Sequence, residues 1–276
     1  MNQVEDAVAA TMLPEAVTRG GWQLAAAQVR GPGHEARGQE CQDFYRVTMA
    51  RPDELIIAIA DGAGSAKLAE IGATVATHQA SEQLCTLLSQ SNSCPTEMAL
   101  KAMLQSAIVA ARDALEAEAT LRKISSSELA TTLILIVARQ DFVAVGHVGD
   151  GATVIADQAG NLIGLTTPPV SDYVNETFFL TSAEPLRHMQ LVVWHGRARH
   201  LAAFSDGLQW LGLRWPDRVP HQPFFRPLFD FVDNAPNQGQ AGPELESFLI
   251  SDKIKSRTDD DLTLILAANI GCDDEG

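Results

Sequence analysis

Two helix-length stretches lie back to back between two blocks of short strand-like runs, and this order restricts the folds open to the chain. Leu68, Ile71, Val75, Leu84, Leu87 and Leu88 fall close to one helical face. SNSCPTE at 91–97 breaks the pattern, with Pro95 placed to open a second helix. Its stripe is Leu100, Leu104, Ala107, Ile108, Ala111 and Leu115. Both stripes read as ordinary core-facing surfaces. Ahead of them stand WQLAAAQVR from Trp22, FYRVT at 44–48 and LIIAIA at 55–60, the last a continuous apolar run of the kind a buried strand carries. Behind them come TTLILIVA at 131–138, DFVAVGHVG at 141–149 and ATVIAD at 152–157. Further strands are expected at 177–182, 190–194, 200–204 and, in LTLILAA, at 262–268. A short helix is expected after Gly207, and the proline-, glutamine- and aromatic-rich stretch 215–243 reads as loop with one helix. Hairpin-length connections such as Arg139-Gln140 favour antiparallel pairing. The fold class is therefore α+β, a sandwich of two antiparallel β-sheets flanked by helices; an alternating βαβ order does not match.

Nearly half of the 276 residues are apolar (46%), enough for a sizeable core. The 20 basic residues face 35 acidic ones, a formal charge of −15, which argues against a nucleic-acid partner. Cys41, Cys85, Cys94 and Cys272 include no CxxC pair, so zinc clusters and disulfide staples are not expected. The first residues carry Glu5 and Asp6 and lack the basic-then-apolar order of a signal peptide. No run approaches the roughly 20 apolar residues of a membrane helix. The expected location is cytoplasmic, with no membrane partner. Residues 1–20 read as an extension, 21–270 as a single domain and 271–276 as a tail.

Five aspartates stand at the edges of strand-like runs: Asp43 in CQDFYRV, Asp61 in IIAIADGAGS, Asp150 in GHVGDGATVI, Asp206 in LAAFSDGLQW and Asp260 in RTDDDLTLILA. Glycine follows three of them at once, at 62, 151 and 207. A single Asp-Gly after a strand is more often a turn than a ligand. Several carboxylates from distant segments can, however, hold two hard divalent ions, and two such ions clamp a phosphate and generate a hydroxide nucleophile at neutral pH.

The wording around these residues resembles the type 2C metal-dependent protein phosphatases, especially their divergent bacterial branch. The resemblance runs from about Trp22 to Ala268 and is carried by GHEARGQECQD, ADGAGSAKLAEIGA, ELATTL, GHVGDGA, VNETFFLTS, FSDGL and DDDLTL in that order. It implies a sandwich of two antiparallel sheets with helices on both outer faces. It also implies two manganese or magnesium ions in a cleft at one end, and a phosphoserine or phosphothreonine protein substrate with a cognate kinase. In this sequence Asp61 matches the bridging ligand and the Gly62 carbonyl a further ligand. Asp206 and Asp260 match the remaining ligands of one ion. Asp43 matches an outer acid that holds ordered water, and Asp150 a third, weaker metal position.

This sequence also departs from the family pattern. Gln42 stands where many members have an acid. Ala63 stands where many have a histidine that protonates the leaving group, so the proton comes from water or from a group such as His34. Arg37 is the nearest candidate for gripping phosphate, with His34 as rival. Gly151 and Ala152 replace the usual Ser-Arg after Asp150. His34 lies in GPGHEARG, which reads as a surface loop. Ser205 lacks a nucleophile elbow and reads as structural, and Asp259 and Asp261 leave the assignment at 260 open by one residue. The expected activity is a metal-dependent Ser/Thr phosphatase. The alternative is a catalytically weak member that binds phosphoproteins or partners, and a metal nuclease is remote because no basic stripe exists.

Overall fold

The computed structural model describes residues 21–91, 94–169, 177–235 and 238–272, so the extension expected over 1–20 lies outside the described residues. Two five-stranded sheets are antiparallel throughout. The first runs in the order β2 (Asp43–Arg51), β3 (Glu54–Asp61), β4 (Leu133–Ala138), β5 (Phe142–Val148) and β8 (Gln190–His195). The second runs β1 (Trp22–Val29), β12 (Leu262–Asn269), β9 (His200–Phe204), β6 (Ala152–Ala156) and β7 (Leu162–Thr166), and β10 (Leu213–Arg214) pairs with β11 (Val219–Pro220) in a separate short ribbon.

Period-two alternation makes the layers. Along β5, Phe142, Ala144 and Val148 join the core under two long helices, whereas Val143 and Val145 join the core between the sheets. The long helices are α2 (Ala69–Gln90) and α3 (Glu97–Arg122). On the other face, α5 (Gln222–Asn234) and α6 (Gln238–Leu249) bury Phe225, Leu228, Val232 and Leu245 against β1, β9 and β12. Helices thus cover both outer faces, as the resemblance implied.

The stripe of α3 is buried as expected from Leu100 to Leu115. Its start differs: Thr96 caps the helix by accepting from the Ala99 amide at 3.2 Å, and Pro95 precedes the cap. In α2 the core face is made by Ala73, Ala76, Ala80, Leu84 and Leu88, while Leu68, Ile71, Val75 and Leu87 are only partly buried. Small side chains let this helix lie close on β2 and β3, which a count of large apolar residues cannot reveal.

Three expectations are corrected. The described residues from 177 to 182 form no strand: Phe178 stacks on His188, Phe179 packs on a small cluster with Ala63 and Ala69, and a turn follows. Two aromatics there imitate a strand signal while pinning a loop. The stretch 215–243 holds α5 and the start of α6 rather than one helix, and β7, a half-buried edge strand containing Gly164, went unforeseen. His34 sits not in a surface loop but buried in the short helix α1 (Pro32–Arg37). Cys41, Cys85 and Cys94 are free thiols, and among the described residues no helix is long and apolar enough to cross a membrane.

His147 is fully buried in β5, with neither ring nitrogen bonded among the described residues, and burial pushes its pKa down to about 3. The unfolded chain takes up a proton there near pH 6.5 while the folded chain does not. The folded state therefore loses stability as pH falls from about 6.5 towards 3, by up to about 1.4 kcal/mol per pH unit. His147→Leu is expected to remove this slope, so the variant gains on the parent at pH 5 relative to pH 7.5 in denaturant melts. Parallel pH profiles of the two would contradict the assignment.

Candidate metal centre

All five acidic positions fall at one end of the sandwich because strand register brings them there. Asp43 opens β2 directly opposite Asp61, which closes β3. Asp150 lies between β5 and β6, where the chain leaves one sheet for the other. Asp206 follows β9 and Asp260 precedes β12, and those strands pair with Phe204 opposite Leu264.

The glycines after these aspartates are not hairpin corners. A Cβ on Gly62 would lie 2.7 Å from Ala69 Cβ; one on Gly151 would lie 2.6 Å from the Phe204 carbonyl oxygen, and one on Gly207 2.1 Å from that of Asp261. Each glycine lets a second segment cross the site at a distance no side chain allows.

Around Asp61 the main chain is locked. Its amide donates to Thr132 Oγ1 (3.0 Å), and its carbonyl accepts from the Thr131 hydroxyl (2.9 Å) and the Thr132 amide (2.8 Å). Asp43 is 2 % exposed, and its Oδ2 accepts from Ser205 and Thr263 hydroxyls, each at 2.7 Å. Asp150 Oδ2 accepts from the Thr177 hydroxyl at 2.6 Å.

The electrostatics show carboxylates forced together. Burial raises the Asp61 carboxyl well above the ordinary range, and Asp206 and Asp43 beside it push the same way. Asp206 is pushed up to about 7, first by burial and then by Asp150 and Asp260. Asp43 is raised by burial and by Asp261, against its two hydroxyl donors, and Asp150 by burial. Asp260 is exposed, yet its charge bears on Asp61, Asp150 and Asp206 alike.

Sequence left 259, 260 and 261 interchangeable, and the structure separates them. The Asp259 carbonyl accepts from the Gly33 amide. Asp261 is 2 % exposed and binds the Gly31 amide (2.7 Å) and the Gln42 amide (2.6 Å), so it ties α1 and the entry to β2 onto the start of β12. His34 Nδ1 lies 2.9 Å from the same carboxylate, close but not aligned for a hydrogen bond. Arg37 is exposed and donates to Gln39 at 2.6 Å. Asp261, Ser205 and Thr263 act as positioning residues: the sequence reads Ser205 as structural, leaves Asp261 open as a neighbour of Asp260 and does not single out Thr263. The run of three acids was a signal for the first, whereas nothing local marks the hydroxyls.

A hard divalent cation suits this donor set. Among the described residues one oxygen of Asp43 and one of Asp206 are buried without a hydrogen-bond partner, and the acids around them repel one another unless a cation intervenes. Among the described residues no three acidic, histidine or cysteine side chains close around one point. Ions held there would therefore complete their shells with water, as small hard cations readily do.

The sequence model of the family described as Protein phosphatase 2C matches residues 30–250. The chain belongs to the protein phosphatase 2C family. A relative within reach of sequence comparison is Serine/threonine-protein phosphatase 3 of Escherichia coli (strain K12), 32% identical over 253 residues, covering 89% of this chain and 98% of the relative. Solved structures agree in fold at low identity. The serine-threonine phosphatase 2C of Toxoplasma gondii has a TM-score of 0.64 at 14% identity, over 92% of this chain and 96% of that one. The catalytic domain of the phosphatase PstP, solved in complex with 2 manganese ions, has a TM-score of 0.59 at 18% identity, over 90% and 97%. A protein phosphatase 2C fold, and the class of protein phosphatases, are thereby assigned to this chain.

Proposed function

We propose that this phosphatase hydrolyses phosphoserine and phosphothreonine in proteins with two divalent ions, manganese or magnesium, as required cofactors, within one catalytic domain over residues 21–270. Asp61, the Gly62 carbonyl, Asp206 and Asp260 would hold the ions, Asp43 ordered water, and Asp150 a third, weaker position. The observation that supports this reading is the convergence of Asp43, Asp61, Asp150 and Asp206 from separate segments at one end of the sandwich, with one oxygen of Asp43 and one of Asp206 buried and, among the described residues, without a hydrogen-bond partner. When bound, such ions supply a water acidic enough to attack at neutral pH and a positive field over the phosphoryl oxygens.

The chain's own groups position and shield. Asp43, clamped through Oδ2 by Ser205 and Thr263, keeps Oδ1 free to accept from water. The threonines at 131 and 132 prevent Asp61 from retreating from its neighbours' charge. The displacement forms a bond from water oxygen to phosphorus and breaks the bond from phosphorus to the serine or threonine oxygen. That oxygen takes its proton from solvent: Ala63 has nothing to donate, and His34 is buried against Asp261. Arg37, exposed at the end of α1, is the cation available to a phosphorylated segment at the rim. No side-chain nucleophile is required, because the Ser205 hydroxyl is held by Asp43 and by the Thr263 amide. A phosphoprotein made by a cognate serine/threonine kinase is the expected substrate.

Purified protein with manganese and a phosphothreonine peptide should release phosphate, and release no higher than in a metal-free control would sink the reading. Ala63, packed and 6 % exposed, favours one second reading, a weakly catalytic phosphoprotein-binding member. Calorimetric titration separates the two: tight manganese binding supports the enzyme, and none supports the binding module.

Gln42 gives a graded test. It is 5 % exposed, its side-chain oxygen has no partner among the described residues, and its carbonyl accepts from the Gly62 amide. Gln42→Glu adds a charge beside Asp43 and Asp261. The variant should reach half-maximal activity at several-fold lower manganese and melt lower without metal. An unchanged manganese response would detach Gln42 from the ions.

A further inference from the structure

A cavity of about 430 Å³ opens between α5, α6 and α7 (Asp252–Lys255), and none of the acidic centre's residues lines it. Its volume is in the range of small-molecule sites. The walls are apolar: Phe224, Phe231 and Phe248, each only half-buried, with Leu245. Three large aromatic rings left part-open to water around one hollow form a surface that gains by being covered. The lining also carries charge. Lys253 and Arg257 both border the cavity and are exposed, and neither has an ion-pair partner among the described residues, although the chain carries 35 acids against 20 bases. Glu244 in α6 is the one acid lining the cavity among the described residues.

We propose that this cavity binds a small molecule with an apolar body and a carboxylate head, and that its occupancy is felt at the acidic centre. The rings take the body, and Lys253 and Arg257 take the head. Two cations against one acid leave a net charge of +1, which a single carboxylate neutralises, whereas a dianionic phosphate would leave an uncompensated negative charge beside Glu244. The connection to the centre is short. Leu211, in the wall, belongs to α4 (Gln209–Gly212), which follows Asp206 by a single 3-10 turn. Ile254 and Arg257 belong to the segment that runs directly into Asp260.

The test uses the full chain and dodecanoate below its micelle threshold, with dodecanol as the uncharged counterpart. Dodecanoate should bind saturably by calorimetry and raise the melting temperature. Lys253→Gln combined with Arg257→Gln, both on exposed positions, should weaken dodecanoate about tenfold, the scale of one charge-assisted contact, and leave dodecanol unchanged. Amide hydrogen exchange over 206–212 and 258–262 should slow on dodecanoate binding. No saturable binding would overturn the site. Equal loss of both ligands in the double variant would overturn the role of the cations. Unchanged exchange at 258–262 would overturn the connection to the centre. All three readouts are independent of phosphatase activity.

Discussion

Asp61→Asn is expected to abolish phosphatase activity at every manganese concentration while leaving the metal-free protein folded and more heat-stable than the parent. The two effects share one cause. Asp61 stands where burial, Asp206 and Asp43 all oppose its charge, so without metal the folded chain bears a cost that the unfolded chain does not. A carboxyl raised in this way contributes stability at low pH and loses it as pH rises through its folded value. Removing the charge therefore helps most at neutral and alkaline pH. With metal the sign should reverse, because the ions proposed to offset the repulsion lose the carboxylate assigned to hold them. Melting curves at pH 5.5 and 8, with and without manganese, should show the parent stabilised strongly by the metal at pH 8 and the variant hardly at all. An active Asp61→Asn protein would refute the bridging role.

Gly207→Ala is expected to cost about 3 kcal/mol or more of stability and at least about a hundredfold in activity of the folded fraction. The added Cβ would sit 2.1 Å from the Asp261 carbonyl oxygen, and no rotamer can relieve a clash with backbone. Relief requires the entry to β12 to move, and Asp260 and Asp206 move with it. Leu262 Cδ2, 3.0 Å from the same Cβ, can yield at little cost and is not the obstacle. Gly160→Ala is the control. Its φ of +81° makes alanine strained, but nothing lies within 4 Å of the added carbon. It should cost about 1 kcal/mol and leave activity intact. Equal losses in the two variants would show that the crossing at 207 has no special part in the site.

The layers of the fold were legible in the sequence because layering depends on local periodicity. LIIAIA, TTLILIVA and LTLILAA became β3, β4 and β12, and the stripe from Leu100 to Leu115 became the buried face of α3. The signal failed where an unexpected residue type filled a position. Ala73, Ala76 and Ala80 seat α2 beside the expected Leu84 and Leu88, and Phe178 and Phe179 pin a loop. His34 reads as exposed from its glycine-rich surroundings and is buried because Asp261, far along the chain, covers it.

At the acidic centre, adjacent letters suffice to put carboxylates at strand ends and glycine after three of them, since turn chemistry and the family pattern are both local. Which acids meet is a matter of long-range contact. Asp260 and Asp261 are neighbours with different work, the exposed one adding its charge to the cluster and the buried one clamping the Gly31 and Gln42 amides. Asp43 is held by Ser205, 162 residues away, and by Thr263, 220 away. Such contacts follow from the register of paired strands, and the repulsion that suits the proposed site to a cation does not exist until folding brings those charges together.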